Sequence, residues 1–166
     1  MSDRIFVTYM PTTVPGSYHA AIHYERTDLA GNVIQHSIIE AKPEKADQLG
    51  VAGKAIGAIE EALRNDDGPS RFGRINATVR EVEASDGLDD PYETIAEGGD
   101  LSENFARMQI YAHGFNRAGF AYRGGHQNSN TFAGAALRAG KLPPATGIAM
   151  IQRGPRVSYW SFLRPD

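Results

Sequence analysis

The feature that most constrains the fold is a pair of β-rich segments joined by a short turn. Residues 17–26 and 32–41 are rich in β-forming side chains, and the turn residues 27–31 lie between them. This arrangement predicts an antiparallel hairpin. A turn centred between positions 29 and 30 would place Glu40 opposite His19, and His36 opposite His23.

The remaining periodicity predicts further strands and several helices. Residues 5–9 and 74–84 are typical of strands, and 148–152 with 157–163 suggest a terminal hairpin. Helical spacing of apolar residues follows Pro43 and recurs later in the chain, and 131–139 predicts a third, short helix. The two apolar stripes are Leu49, Ala52, Ile56, Ile59 and Leu63, and then Leu101, Phe105, Met108, Ala112 and Phe115. We therefore expect one α+β domain over 1–166, with a mainly antiparallel sheet and packed helices.

Composition limits the classes of function. The chain has 166 residues, of which 41% are hydrophobic, so a core needs no disulfide or metal support. A net charge of −3 offers no basic excess for nucleic acid. Cysteine is absent, which excludes disulfides, cysteine-ligated zinc and a cysteine nucleophile.

The ends and apolar runs of the chain predict its location. The N-terminus lacks the basic and apolar regions of a signal peptide, and no apolar run is long enough to span a membrane. We expect a soluble protein that is cytoplasmic as synthesised. Leaderless secretion as an effector is compatible with the same sequence.

The most specific local pattern lies at 122–137, where Ser129 stands between a glycine-containing loop and a helix of small residues. A nucleophile at a helix start benefits from unpaired backbone N–H groups and from the positive end of the helix dipole. The alternative is structural, because Asn128, Ser129 or Asn130 would each serve as a helix N-cap.

An upstream histidine supplies a candidate base. His19 lies on a predicted strand of otherwise small and apolar residues. We predict that it acts as general base for Ser129, and that Glu40 or His36 orients the ring. The alternatives are a half-buried structural histidine and a solvated glutamate. His19 and His23 are ~13 Å apart along a strand, so a shared metal ion is not expected. No cofactor is expected either.

Four more polar residues surround the serine in sequence. Gln127 or Asn128 would join the Ser129 N–H as an oxyanion donor, and Tyr122 and His126 would line the entrance for the substrate. The alternative for all four is capping and turn formation in a loop.

Two segments carry a family resemblance. The pattern from His19 to Tyr24, with the turn and the strand up to Pro43, is similar to the histidine hairpin of circularly permuted papain-like, NlpC-type peptidases and acyltransferases. Tyr122-x5-Asn128-Ser129-Asn130 resembles the nucleophile segment of that family, with serine in the cysteine position. Asn-Ser-Asn variants are also similar to segments of bacterial toxin and effector domains. The resemblance implies a permuted papain-like arrangement, with Ser129 as nucleophile and His19 as base.

Three functions are compatible with these patterns. In the first, a Ser129 acyl-enzyme cleaves or transfers an amide, isopeptide or ester bond of a peptide or acyl substrate. In the second, the same groove is a catalytically inactive binding or immunity-type module with a protein partner. In the third, the chain is a plain interaction domain, and both motifs are capping and core features. A serine nucleophile needs a base that removes its proton as it attacks. The first function therefore requires a working Ser129–His19 pair, whereas the second does not.

Overall fold

The strands and helices are known over most of the chain. The structure is a computed structural model and describes residues 1–12, 18–45, 72–83, 86, 90–122 and 128–148. Segments in which polar and β-forming residues alternate form the strands. The segment with the second apolar stripe and the later segment of small residues form the two described helices.

Five antiparallel strands form one open sheet. Its strands are β1 (Ser2–Pro11), β2 (Tyr18–Thr27), β3 (Val33–Pro43), β4 (Ile75–Glu81) and β5 (Tyr92–Glu97). Their order is β4-β3-β2-β1-β5, so consecutive strands β1 to β4 are neighbours and β5 joins the far side of β1. Among the described strands, β4 and β5 are therefore the two edges.

The apolar face of the sheet forms the core. Side chains alternate between faces along each strand, so every second residue of the central strands enters this core. Helix α1 (Ser102–Ala118) and helix α2 (Ser129–Ala139) pack on that face. The sheet residues of the core are Ile5, Val7, Tyr9, Ala20, Ile22, Tyr24, Ile39, Ala41, Ile75 and Ala77.

The two helices have different apolar patterns. Phe105, Met108, Ala112 and Phe115 form the buried stripe of α1, as the sequence spacing predicted, so this helix is confirmed. Helix α2 is buried from Ser129 to Leu137, because its small residues permit close contact with β2, β3 and α1. In the described residues, neither helix is long and apolar enough to cross a membrane.

The predicted fold class is wrong. We expected an α+β fold with a permuted papain-like arrangement, whereas the structure is mainly a five-stranded open antiparallel sheet with helices on one side. The sheet dominates because β1 and β3 extend further than predicted and because β5 was not predicted at all. Of the helix predicted over 43–63, Pro43 ends a strand and residues 44–45 form a turn, while 46–63 lie outside the described residues.

The predicted hairpin exists, but its register is shifted. His23 lies opposite Ile38 and Glu25 lies opposite His36, so both predicted pairs are displaced by two residues. The Asp28 side chain accepts hydrogen bonds from the backbone N–H groups of Ala30 and Asn32 and thereby lengthens the turn. A shift of two preserves the face on which each side chain lies.

Two other predictions concern the ends of elements. Pro43 ends β3, where it is paired with Ile75, rather than beginning a helix. Of the predicted terminal hairpin, Ile148 alone lies within the described residues, and it is helical and buried in the core rather than part of a strand.

Asp3, near the start of the inner strand β1, joins the sheet to the start of α1. Its carboxylate, 1% exposed, accepts two hydrogen bonds from Arg26 at 2.8 Å, one from the Tyr24 hydroxyl and one from the Leu101 backbone N–H. The Arg26 hydrogen bonds outweigh burial and lower the pKa of Asp3 to about 2. The ionised carboxylate therefore holds β1, β2 and α1 together at this corner.

We expect Asp3→Asn to reduce the free energy of unfolding by about 2–3 kcal/mol, because a carboxylate that is 1% exposed and accepts two hydrogen bonds from Arg26 becomes a neutral amide. Since the folded pKa lies below the ordinary 3.8, the contribution of Asp3 is complete above pH 4 and is lost as the pH falls towards 2. Urea unfolding between pH 2 and pH 7 measures both effects.

Asp100→Asn is the control, because Asp100 also accepts a hydrogen bond from Arg26 but is largely exposed. It should change stability much less. If the parent and Asp3→Asn lost stability in parallel as the pH fell from 4 to 2, the assigned role of Asp3 would be wrong.

Candidate functional site

A buried asparagine fixes the start of α2 to the central strand β2. The Asn130 side chain, 0% exposed, accepts a hydrogen bond from the Ala20 backbone N–H at 2.7 Å and donates one to the Tyr18 carbonyl at 2.9 Å. Tyr18 and Ala20 lie before the first paired position of β2 with β3, at Ile22. The Asn130 amide thus pairs with backbone groups of β2 that β3 leaves free. It joins the start of α2 to the two residues that flank His19.

Asn128, and not Ser129, is the N-cap of α2. The Asn128 side-chain oxygen accepts hydrogen bonds from the Asn130 and Thr131 backbone N–H groups, each at 3.0 Å, and from the Thr131 hydroxyl. Its backbone oxygen accepts from Phe132. These bonds use the first-turn donors other than the Ser129 N–H, so Ser129 occupies the first helical position and has no capping role.

The Ser129 hydroxyl is held weakly. Within the described residues, its hydrogen bond goes to the Asn130 side-chain oxygen at 3.4 Å, longer than the usual 2.5–3.0 Å of such bonds. Ser129 is buried, at 7% exposure. Within the described ranges, no hydrogen bond joins the Ser129 hydroxyl to His19. The structure thus places serine and histidine on adjacent, firmly connected backbone without joining their side chains.

His19 contacts Glu40. The His19 Nε2 atom lies 3.0 Å from Glu40 Oε2, and the two side chains are 15% and 2% exposed. Both lie on the sheet face opposite the helix-covered core, because they share the alternation of the directly paired residues His23 and Ile38. Of the two sequence candidates for orienting the ring, Glu40 is therefore the one that His19 contacts.

Glu40 is an ionised carboxylate in a charged network. Its second oxygen, Oε1, accepts from Lys42 and from Arg80, each at 2.9 Å. Burial opposes ionisation, but the hydrogen bonds from His19 and Lys42 outweigh it and lower the pKa of Glu40 to about 2. Since an ionised carboxylate only accepts, His19 donates from Nε2 to Glu40, which leaves Nδ1 as the nitrogen that faces away from this contact.

His36 has a different partner. Its Nε2 atom lies 3.2 Å from His23 Nδ1, and the Thr8 hydroxyl lies 3.0 Å from the other nitrogen of His23. Burial lowers the pKa of His23 to about 4 and also lowers that of His36. Both rings are therefore neutral at pH 7, and together with Phe6, which stacks on His23, they fill this face of the sheet.

The remaining predicted residues lie elsewhere or outside the described ranges. The Tyr122 backbone donates to the Gly73 carbonyl, and its ring packs on Phe72. His126 and Gln127 lie outside the described residues. No group of three or more His, Cys, Asp or Glu side chains suited to a metal ion occurs in the described part of the chain.

Sequence reasoning missed three residues that shape this region. Asn130 was considered only as a cap, and Arg80 and Asp86 were not considered at all. Arg80 donates to Glu40, and it donates twice to the Asp86 carboxylate at 2.6 Å. The position of Arg80 opposite Ile38, two residues from Glu40 on the same face, would have indicated the contact once the register of β3 and β4 was known.

Comparisons of the chain with protein-family models, with curated proteins and with solved structures found no match.

We expect Asn130→Ala to destabilise the fold by about 2–4 kcal/mol, because two buried backbone groups lose their hydrogen-bond partner. Urea unfolding measures the loss, and hydrogen exchange of the Ala20 amide locates it. An unchanged Ala20 exchange rate would contradict the hydrogen bond assigned between Asn130 and Ala20.

Asn116→Ala is the matched control for this variant. Asn116, at the end of α1, bonds the N–H and carbonyl of Ala77 on β4 in the same two-sided way. It should also destabilise the fold, but it should leave the Ala20 amide protected.

Proposed function

We propose that the protein is a serine-dependent hydrolase or acyltransferase in which Ser129 is the nucleophile and His19 is the general base. The observation that carries the proposal is the pair of hydrogen bonds from the Asn130 side chain to the backbone of Tyr18 and Ala20. Tyr18 and Ala20 are the chain neighbours of His19, and Asn130 is the chain neighbour of Ser129. Nucleophile and base thus belong to two elements joined by buried hydrogen bonds.

The orientation of the base supports this assignment. Glu40 accepts from Nε2 of His19, so Nδ1 is the nitrogen able to take the serine proton. Within the described residues, the hydrogen bond of the Ser129 hydroxyl is a 3.4 Å contact with Asn130, so no short hydrogen bond there competes with the base for the serine proton.

The proposed reaction is acyl transfer. The Ser129 oxygen attacks the carbonyl carbon of an amide, isopeptide or ester, and its proton passes to His19 Nδ1. The Ser129 N–H, which the Asn128 cap does not use, donates to the oxyanion. His19 then protonates the leaving nitrogen or oxygen, and water or another acceptor releases the acyl group. The likeness of the two motifs to NlpC-type enzymes supports this reaction class only.

A second function has a specific observation in its favour. Within the described residues, Ser129 and His19 share no hydrogen bond, which suits a binding module that uses the same surface without turnover. Such a module would bind a protein partner equally well with Ser129 or alanine at this position.

A fluorophosphonate probe tests the first function. The serine oxygen displaces fluoride at phosphorus, so labelling is detected as a mass increase on the peptide that contains Ser129. We expect labelling of the parent, none at this peptide in Ser129→Ala, and a rate at least about 100-fold lower in His19→Ala, since general-base assistance is worth 10²–10⁴.

Ser102→Ala is the matched control, because Ser102 also occupies the first position of a helix but belongs to α1. Its labelling at Ser129 should equal that of the parent. Parent protein that stays unlabelled at Ser129 would reject the enzymatic function and leave the binding module.

A further inference from the structure

The sheet face that carries His19 contains a row of alternating charges. His19 contacts Glu40, Glu40 contacts Arg80, and Arg80 contacts Asp86. Only the first contact enters the proposed function. The row is continuous from β2 across β3 to β4, and it ends at residue 86, beyond β4.

The two oxygens of Glu40 have separate partners. Oε2 faces His19 Nε2, whereas Oε1 accepts from Arg80 and Lys42. A carboxylate held at only one oxygen can rotate about its last torsion, which is broad. Donors fixed on Oε1 therefore decide whether Oε2 faces the imidazole.

The two donors on Oε1 differ in how firmly they are fixed. Lys42 is 56% exposed and reaches Glu40 with a single flexible amine. Arg80 is 31% exposed and is held by two hydrogen bonds to Asp86, whose carboxylate in turn accepts from the Glu83 backbone N–H. Its planar guanidinium is thus oriented before it meets Glu40.

We propose that Arg80 is a positioning residue that, held by Asp86, fixes the Glu40 carboxylate so that it orients His19 for the proton transfer. This inference rests on the proposed function, because its consequence for chemistry requires His19 to act as base. Its structural part, the fixed orientation of the His19 ring, stands independently of any reaction.

A double-mutant cycle tests the consequence for chemistry. We compare the labelling of Ser129 by the fluorophosphonate probe in the parent, Arg80→Gln, Glu40→Gln and the double variant. Each single variant should lower the maximal labelling rate by about tenfold, while the probe concentration that gives half the maximal rate is unchanged. The double variant should be no slower than the slower single variant, because Arg80 acts through Glu40.

Two further variants separate positioning from general stability. Arg80→Lys keeps a donor for Glu40 and should recover part of the rate. Arg4→Gln is the matched control, because Arg4 is also 31% exposed and pairs with Glu25. It should leave the labelling rate unchanged. Losses that multiply in the double variant, or an equal loss in Arg4→Gln, would overturn the proposal.

A spectroscopic measurement tests the inference without turnover. Two-bond ¹H–¹⁵N correlation spectra of Ser129→Ala report which ring nitrogen of His19 carries the proton. We expect the proton on Nε2, and we expect Arg80→Gln in this background to move the two nitrogen shifts towards each other as the fixed tautomer is lost. Unchanged shifts would overturn the inference.

The two measurements fail separately. If the parent is not labelled at Ser129, the proposed function fails, and the nitrogen shifts alone decide whether Arg80 orients the ring. If the parent is labelled, and Arg80→Gln changes neither the labelling rate of the parent nor the His19 nitrogen shifts of Ser129→Ala, only the positioning role fails.

Discussion

One side-chain amide determines how the helix carrying Ser129 meets the sheet. Asn130 occupies the place of a neighbouring strand along the part of β2 that β3 does not pair with, and it satisfies one backbone N–H and one carbonyl there. Buried backbone groups without partners would be costly, so this contact has little freedom to slide. The position of Ser129 relative to His19 follows from it, because each residue is next to one end of this contact.

A second constraint acts on the histidine from the other side of the sheet. Glu40 is buried and ionised, and cations on β3 and β4 compensate its charge. Burying a carboxylate is favourable only with such partners, so the cost of Glu40 is met by a network that extends from His19 to Asp86. The Asn130 hydrogen bonds thus fix the helix start that carries Ser129, and the charge-compensated Glu40 fixes the orientation of the imidazole.

The sequence predicted features that depend on local periodicity. The apolar stripe of α1 and the strand predicted within 74–84 were confirmed, because both follow from the local pattern of apolar residues. Strand β5 was missed because Tyr92–Glu97 is an edge strand with glutamates at both Glu93 and Glu97 and lacks apolar alternation.

Features that depend on contacts between distant parts of the chain could not be predicted as well from the sequence. The hairpin register depends on the turn at Asp28 and on a bulge after Arg26, which no alternation reveals. The fold class was wrong because the balance between sheet and helices depends on strand ends and on β5. Pairing of His19 with Glu40 survived the error in register, because a shift by two residues keeps both on one face. Arg80 could not be assigned without the pairing of β3 with β4.

The central claim is that Ser129 is the nucleophile and that His19 takes its proton. A crystal structure of the protein after treatment with a fluorophosphonate measures this most directly. The claim predicts a phosphorus bonded to the Ser129 oxygen, with His19 Nδ1 within about 3.2 Å of that oxygen. An unmodified serine still bonded to Asn130, with the imidazole more than about 4 Å away, would contradict it.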